Sequence, residues 1–125
     1  MVGPDGDVYF GVFEQSFGSN HYRGWLLHYN QTLAQTKPLG AFGWDHTPSV
    51  VKASLVPSYH GTSKYLLLSK YNNYAGVGGD GINKMALLDP NDTMTDPVSG
   101  TAVMKEILTI AGPTEDEEYP GVPGA

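Results

Sequence analysis

The clearest hydrophobic pattern in the chain is a pair of apolar runs between residues 64 and 94. The runs read YLLLSKY and KMALLDP, and a loop rich in glycine and asparagine separates them. Apolar runs of this length, bounded by Gly, Asn and Pro, are typical of β-strands joined by turns. The pattern predicts a β-hairpin that is closed by a turn at Asp89-Pro90-Asn91-Asp92.

A fainter copy of this pattern lies upstream. The segment 26–32, LLHYNQT, matches the segment 87–93, LLDPNDT, at a constant offset of 61 residues. The segment 39–43, LGAFG, matches 108–112, LTIAG, at an offset of 69, and the eight additional residues fit an insertion at 95–102. A fixed repeat period indicates that similar supersecondary units stack on one another.

Further β-rich segments complete two units. Strands are predicted at residues 8–13, 25–29, 38–42, 47–55, 65–71, 82–88 and 103–110. The run 47–55 has no upstream counterpart and is interpreted as an innermost strand. We therefore expect an all-β fold of antiparallel four-stranded meanders. Its parts are a first unit (1–43) that lacks an inner strand, a second unit (44–112), and an acidic tail rich in Pro and Gly (113–125).

Composition agrees with this prediction and reduces the classes of partner that the chain is expected to bind. Sixteen Gly and nine Pro among 125 residues favour short strands with tight turns over long helices. A net charge of −6 with seven scattered Lys and Arg disfavours nucleic acid, because phosphate binding requires clustered cations. The absence of Cys excludes disulfides and thiolate catalysis but does not define the compartment.

The ends of the sequence bear on localisation. Residues 1–5 lead directly into a turn without a secretory leader, and no apolar run approaches membrane-spanning length. We expect a soluble chain with no membrane partner, and export stays open. The abrupt start and the GVPGA ending suggest a piece of something longer.

Four phrases of the sequence carry a family resemblance. GPDGDVYFGVF, DHTPSVV, KYLLLSKYNN and MALLDPND resemble the PQQ-like and related quinoprotein-type β-propeller repeats of bacteria. The resemblance covers nearly the whole chain and implies about two propeller blades. The Asp-x-x-Thr-Gly-Lys-x-x-x-Trp docking signature of cofactor-binding blades is absent, so no PQQ is expected.

A pair of blades implies partners, because propeller closure requires at least about four. We expect self-association, for example three copies in a six-bladed ring, or membership of a larger propeller. A neighbouring chain is a candidate donor of the inner strand that the first unit lacks.

Asp45 and His46 are the first candidates for chemistry. They precede the predicted inner strand, and the resemblance places them at the mouth of the central channel. An Asp beside a His suits a general base or a metal ligand, and Asn72 and Asn73 are candidate helpers in a metal-dependent lactonase or esterase. The alternative is that Asp45 caps a turn and His46 is a solvated loop residue.

Other residues suggest binding. Trp44, Tyr71 and Tyr74 flank loops and are candidates for stacking on a glycan or small molecule. Oxygen ligands for calcium or another divalent cation are available at Asp80, Asn83, Asp89, Asn91 and Asp92, although Asp-Pro-Asn-Asp is also a common turn. The G-x-G-x-x-G at 76–81 precedes a predicted strand instead of the helix that a dinucleotide site requires, and is interpreted as a loop.

Three functions compete on these grounds. The leading hypothesis is a non-enzymatic β-propeller segment that acts as a scaffold or ligand-binding module. The alternatives are the small metal-dependent hydrolase at Asp45 and His46 and a glycan-binding module built from the loop aromatics.

Overall fold

A computed structural model describes residues 1–13 and 20–115 of the chain. Apart from two 3₁₀ helices of three residues each, at Ala53–Leu55 and Ala75–Val77, its regular elements are all strands. The strands are β1 (Val8–Val12), β2 (Trp25–Tyr29), β3 (Ser49–Lys52), β4 (Tyr65–Tyr71), β5 (Ile82–Thr95) and β6 (Ala102–Glu115). The predicted all-β character is thus confirmed for the described residues.

The strands form two antiparallel sheets. The first sheet pairs β1 with β2, and Phe10 lies opposite Leu27. The second sheet is a four-stranded meander in the chain order β3-β4-β5-β6. Consecutive neighbours of this kind need only short connections, which agrees with the many turn residues in the sequence.

Short bridges extend the first sheet on both sides. Met1 exchanges backbone hydrogen bonds with Tyr9 at the edge of β1. Gly40 exchanges backbone hydrogen bonds with Leu26 on the other side. The strand predicted at 38–42 is therefore reduced to isolated bridges, in part because Pro38 has no N–H to donate.

The turn predicted at residues 89–92 is wrong. β5 continues through Pro90 to Thr95, and the ladder with β6 shifts register between Asp89 and Thr93, as in a β-bulge. Proline is tolerated here because the pairing of β5 with β4 ends at Leu88, so no ladder bond on that side needs the missing N–H.

The boundary of the predicted tail also differs. β6 continues to Glu115, so residues 113–115 belong to a strand instead of the tail predicted from 113 onwards. The rest of the predicted tail, 116–125, lies outside the described residues.

One apolar core joins the two sheets. The first part of the chain contributes Tyr9, Leu26, Ala41 and Phe42, and the second sheet contributes Tyr65, Leu67, Ala86, Leu88, Val103 and Met104. A smaller cluster lies on the opposite face of the second sheet, around Leu66 and Leu87. The two sheets are therefore layers that face one another, and each has a second face that points away.

A buried ion pair fixes one end of this core. Arg23, just before β2, approaches Asp96, just after β5, with 2.6 Å between Nη2 and Oδ2. The guanidinium also lies against the rings of Phe42 and Tyr71. Burial by itself would raise the pKa of the Asp96 carboxyl, but hydrogen bonds donated by Ser99 and the charge of Arg23 more than offset this and hold the pKa below its usual range.

We predict that Asp96→Ala lowers the free energy of unfolding by about 3–5 kcal/mol, because it leaves the Arg23 cation buried without its partner. The matched control is Asp92→Ala. Asp92 Oδ2 lies 3.7 Å from Lys105 Nζ, but the side chains of Lys105 and Asp92 are 51% and 56% exposed. Because this ion pair is in contact with water, its removal lowers the free energy of unfolding by at most about 1 kcal/mol. Urea denaturation followed by tryptophan fluorescence measures both, and equal losses would contradict the prediction.

Candidate functional site

The turn before β3 lies directly against β1. A Cβ placed on Gly11 would lie 2.3 Å from the carbonyl oxygen of Gly43, so the two backbones approach at a distance that only glycine permits. The residues Trp44, Asp45 and His46 follow in this turn. The close approach fixes them beside the edge of the first sheet.

The structure brings together Asp45, Asn72 and Tyr74. Asn72 Nδ2 donates to Asp45 Oδ1 at 2.8 Å and to the hydroxyl of Tyr74 at 3.0 Å. Tyr74 donates in turn to Asp45 Oδ2 at 3.2 Å, and Asn72 Oδ1 accepts the N–H of Gly43 at 2.7 Å. The cluster therefore ties the turn before β3 to the segment that follows β4.

Lys70 completes the surroundings of Asp45. Its ammonium lies 3.7 Å from Asp45 Oδ2 and 5.0 Å from the centre of the Tyr74 ring. Both carboxylate oxygens of Asp45 thus have side-chain partners from residues 70–74. A general base needs an oxygen that can reach a substrate proton, and this arrangement leaves neither oxygen without a partner.

Two buried nitrogen atoms of the same turn have no partner among the described residues. They are Trp44 Nε1 and His46 Nε2. Both residues line a groove of about 310 Å³ along the edge of β1, together with Met1, Tyr9, Phe10, Gly11, Asp45 and Thr47. An unpaired buried polar atom costs about 1–3 kcal/mol of stability. These two nitrogens therefore mark a place where the described residues leave hydrogen-bonding groups without partners.

The remaining candidates lie apart from this cluster. Asn73 is turned towards the loop before β5, where it donates to Asp80 and to the carbonyl of Ile82. The Asp80 carboxyl also accepts the N–H of Ile82 and pairs with Lys84, and these donors lower its pKa. Asn73 therefore organises a loop instead of joining Asp45 and His46.

The candidate aromatic residues do not form one exposed platform. Tyr71 packs against Phe42 at a tilt, with 4.4 Å between ring centres, Trp44 packs edge-on against Phe13, and Tyr74 is buried. Each ring thus contacts other protein groups.

The candidate metal ligands are divided between the two ends of β5. Asp80 and Asn83 lie at its start, whereas Asp89, Asn91 and Asp92 lie near its end. Among the described residues, no three His, Cys, Asp or Glu side chains converge as a metal group. Calcium binding stays a prediction from the sequence, because residues 1–13 and 20–115 contain no such group of ligands.

Two buried polar clusters were missed at the sequence level. His28 Nε2 lies 2.8 Å from Asp7 Oδ2, and Lys37 reaches the same oxygen at 2.7 Å. In the second sheet, Asp89 accepts the hydroxyls of Ser63 and Tyr59 at 2.5 and 2.7 Å. The available signal was that His28 and Asp89 occupy equivalent positions of the repeat, each a polar residue after two leucines.

The Asp7 cluster has an electrostatic consequence. Burial alone would raise the pKa of the Asp7 carboxyl, but the hydrogen bonds from Lys37 and His28 lower it by more. Asp7 is thereby held as the anion that its two partners require.

Comparison with known proteins finds no protein-family model, curated protein or solved structure that matches the chain. Within residues 1–13 and 20–115, no helix has the length and hydrophobicity needed to cross a membrane.

We predict that Asn72→Asp is more destabilising than Asn72→Ala at neutral pH. Alanine removes the hydrogen bonds of one buried side chain, at a cost of about 1–3 kcal/mol, whereas aspartate adds a second carboxylate beside Asp45. Urea denaturation at neutral pH tests this, and an Asn72→Asp variant as stable as the native chain would contradict the geometry.

Proposed function

We propose that this chain is a segment of a β-propeller-type assembly and serves as a non-enzymatic scaffold or ligand-binding module. In this proposal further copies, or the rest of a longer propeller, cover its two outward faces. The observation that carries the proposal is that both sheets are apolar on the face that points away from the shared core.

The first sheet shows this on β1 and β2. Tyr9 points into the core, so its neighbours Val8 and Phe10 point outward, and across the ladder they lie opposite Tyr29 and Leu27. Phe10 is 45% exposed, and its ring stacks on Tyr29. The outward face is therefore made of aromatic and aliphatic side chains.

The second sheet also has apolar residues on its outward face, and they come from β4, β5 and β6. The ladder aligns Leu68, Leu87 and Leu108 in one row, and Leu87 belongs to the cluster on the outward face. In the next row Ile110 lies opposite Met85. Leu108 is 41% exposed and Ile110 is 53% exposed, so the β5–β6 part of this face is apolar and only partly covered. Lys70 on β4 continues the row of Met85 and Ile110.

These faces favour a stack of sheets over a two-layer sandwich. In a sandwich, outward residues of each strand are mostly polar because they face water. Propeller blades instead pack both faces against neighbouring blades. A chain with two apolar outward faces on opposite sides resembles two adjacent blades from the interior of such a stack, and heterologous contacts of this type generate rings when the rotation closes.

The groove along β1 supports the same proposal. It lies on the side of the first sheet where an inner strand would add, and within residues 1–13 and 20–115 only residues 1 and 2 pair with that edge. A strand donated by a neighbour would bring carbonyl groups towards Trp44 Nε1 and His46 Nε2. The missing inner strand and the two unpaired nitrogens would then have a common explanation.

The other two functions have less support. The hydrolase needs a free carboxylate at Asp45, whose oxygens are engaged by Asn72, Tyr74 and Lys70. The glycan-binding module needs exposed rings on one surface, and Trp44, Tyr71 and Tyr74 pack against different neighbours. Both stay predictions from the sequence.

We predict that Ile110→Lys converts the assembly to monomers, because the lysine places a charge in a face that a neighbouring copy must bury. The control is Thr109→Lys, one residue away in β6, which adds the same charge on the opposite face at an exposed position that the shared core does not cover. Native mass spectrometry at micromolar concentration is expected to give multiples of 13.5 kDa for the native chain and the control. A native chain that is monomeric throughout would overturn self-assembly.

A further inference from the structure

The cations of this acidic chain are not equally neutralised. Five of the seven Lys and Arg residues lie within salt-bridge distance of a carboxylate. These five are Arg23, Lys37, Lys70, Lys84 and Lys105. The remaining two, Lys52 and Lys64, contact no carboxylate of the described residues, and both side chains are exposed.

The two unpaired lysines line the same groove. Lys52 ends β3, Lys64 immediately precedes β4, and the groove between them has a volume of about 480 Å³. Its lining also includes Ala53, Ser54, Tyr59, Gly61 and Ser63. We call this feature, defined by these seven residues, the lysine groove.

The nearest buried acid does not neutralise the lysine groove. Asp89 lies beneath it and is only 3% exposed. Its carboxylate accepts hydrogen bonds from Ser63, Tyr59 and the N–H of Asn91. Among the described residues no salt bridge joins Asp89 to Lys52 or Lys64, and both lysine side chains are exposed.

The densest negative charge of the sequence directly follows β6 along the chain. The acidic run 115–118, EDEE, begins where β6 pairs with Ile82, the first residue of β5. The lysine groove instead adjoins Tyr65, the first residue of β4. Because β4 and β5 are antiparallel and Ile82 lies two residues beyond Lys84, the partner of Tyr71, these two points are separated by eight residue steps, or about 26 Å.

The acidic run cannot cover this distance within its own chain. Residue 118 follows residue 115 by three peptide units, which span at most about 11 Å, and extended Glu and Lys side chains together add about 11 Å more. A contact between the run and the lysine groove therefore needs two molecules.

We propose that the lysine groove binds the acidic run 115–118 of a second copy of this chain. The contact is head-to-tail and joins opposite ends of two sheets, and it does not rest on the packing of apolar faces described under Proposed function. Since both lysines are exposed, the contact weakens as salt rises, whereas contacts between apolar faces do not.

The test is carboxyl-to-amine crosslinking with a zero-length carbodiimide on an equal mixture of ¹⁴N- and ¹⁵N-labelled full-length chains. The expected result is mixed-isotope crosslinks that join Lys52 or Lys64 to the run 115–118, with a yield that falls at high salt. The Lys52→Glu/Lys64→Glu variant lacks both amines and cannot form these crosslinks, so it is compared in light scattering, where its salt-sensitive association is expected to weaken about tenfold. The charge-conserving Lys52→Arg/Lys64→Arg variant, which carbodiimide does not couple either, is expected to keep that association.

A charge swap makes the test reciprocal. A chain with Glu117→Lys and Glu118→Lys is expected to associate with the Lys52→Glu/Lys64→Glu chain, although each associates poorly with itself. Three results would each overturn the proposal. The first is that all crosslinks join chains of the same isotope, and the second is that the charge-swapped pair does not associate. The third is that inorganic phosphate binds in the groove while no crosslinks form between chains. Native mass spectrometry of the Lys52→Glu/Lys64→Glu variant separates the outcomes, because assembly through the apolar faces survives it.

Discussion

The packing of two sheets through one apolar core is the contact on which the rest of this structure depends. A two-stranded ribbon such as β1-β2 is marginally stable alone, and it gains a buried face only from the second sheet. Tyr9 and Leu26 meet Leu67 and Leu88 in that core. The Arg23–Asp96 pair fixes the relative position of the layers at one end, because neither charge is tolerated in the interior without the other.

The same packing explains why the outward faces matter. Each sheet uses one face in the shared core, so alternation along the strand leaves the other face for solvent or for a neighbour. Phe10 on one side and Ile110 on the other are large apolar side chains on such faces. The proposed assembly covers them, and the proposed lysine groove contact acts along a different direction, from one end of a sheet to the other. The apolar faces would then supply most of the affinity between units, and the contact of the lysine groove would add an interaction that weakens as salt rises.

Local pattern was enough to predict much of the fold. The strand expected at 25–29 is β2 and the strand expected at 65–71 is β4, because apolar runs bounded by Gly, Asn and Pro define a strand without help from the rest of the chain. The end of the hairpin was missed because Pro90 signals a turn locally. It lies in β5 only because β4 no longer pairs with β5 at that point. That information is tertiary and is absent from any short window.

The candidate site was less predictable for the same reason. Sequence pattern selected both Asp45 and Asn72, which the structure joins, but did not show that their hydrogen bonds would be directed to each other and to Tyr74. His28 with Asp7 and Ser63 with Asp89 come from positions 21 and 26 residues apart, so no local motif links them. Ion pairing is also a property of the folded chain. Only the structure shows that the other five cations form salt bridges and that Lys52 and Lys64 do not form one with the described residues.

The central claim is that both outward faces are covered by further β-meanders, and electron cryomicroscopy of the assembled particle tests it most directly. The account predicts a closed array of sheets around a central channel, in which the face carrying Leu108 and Ile110 packs against the face carrying Phe10 of the next unit. A particle made of two sheets only, with both of these faces in solvent, would contradict it.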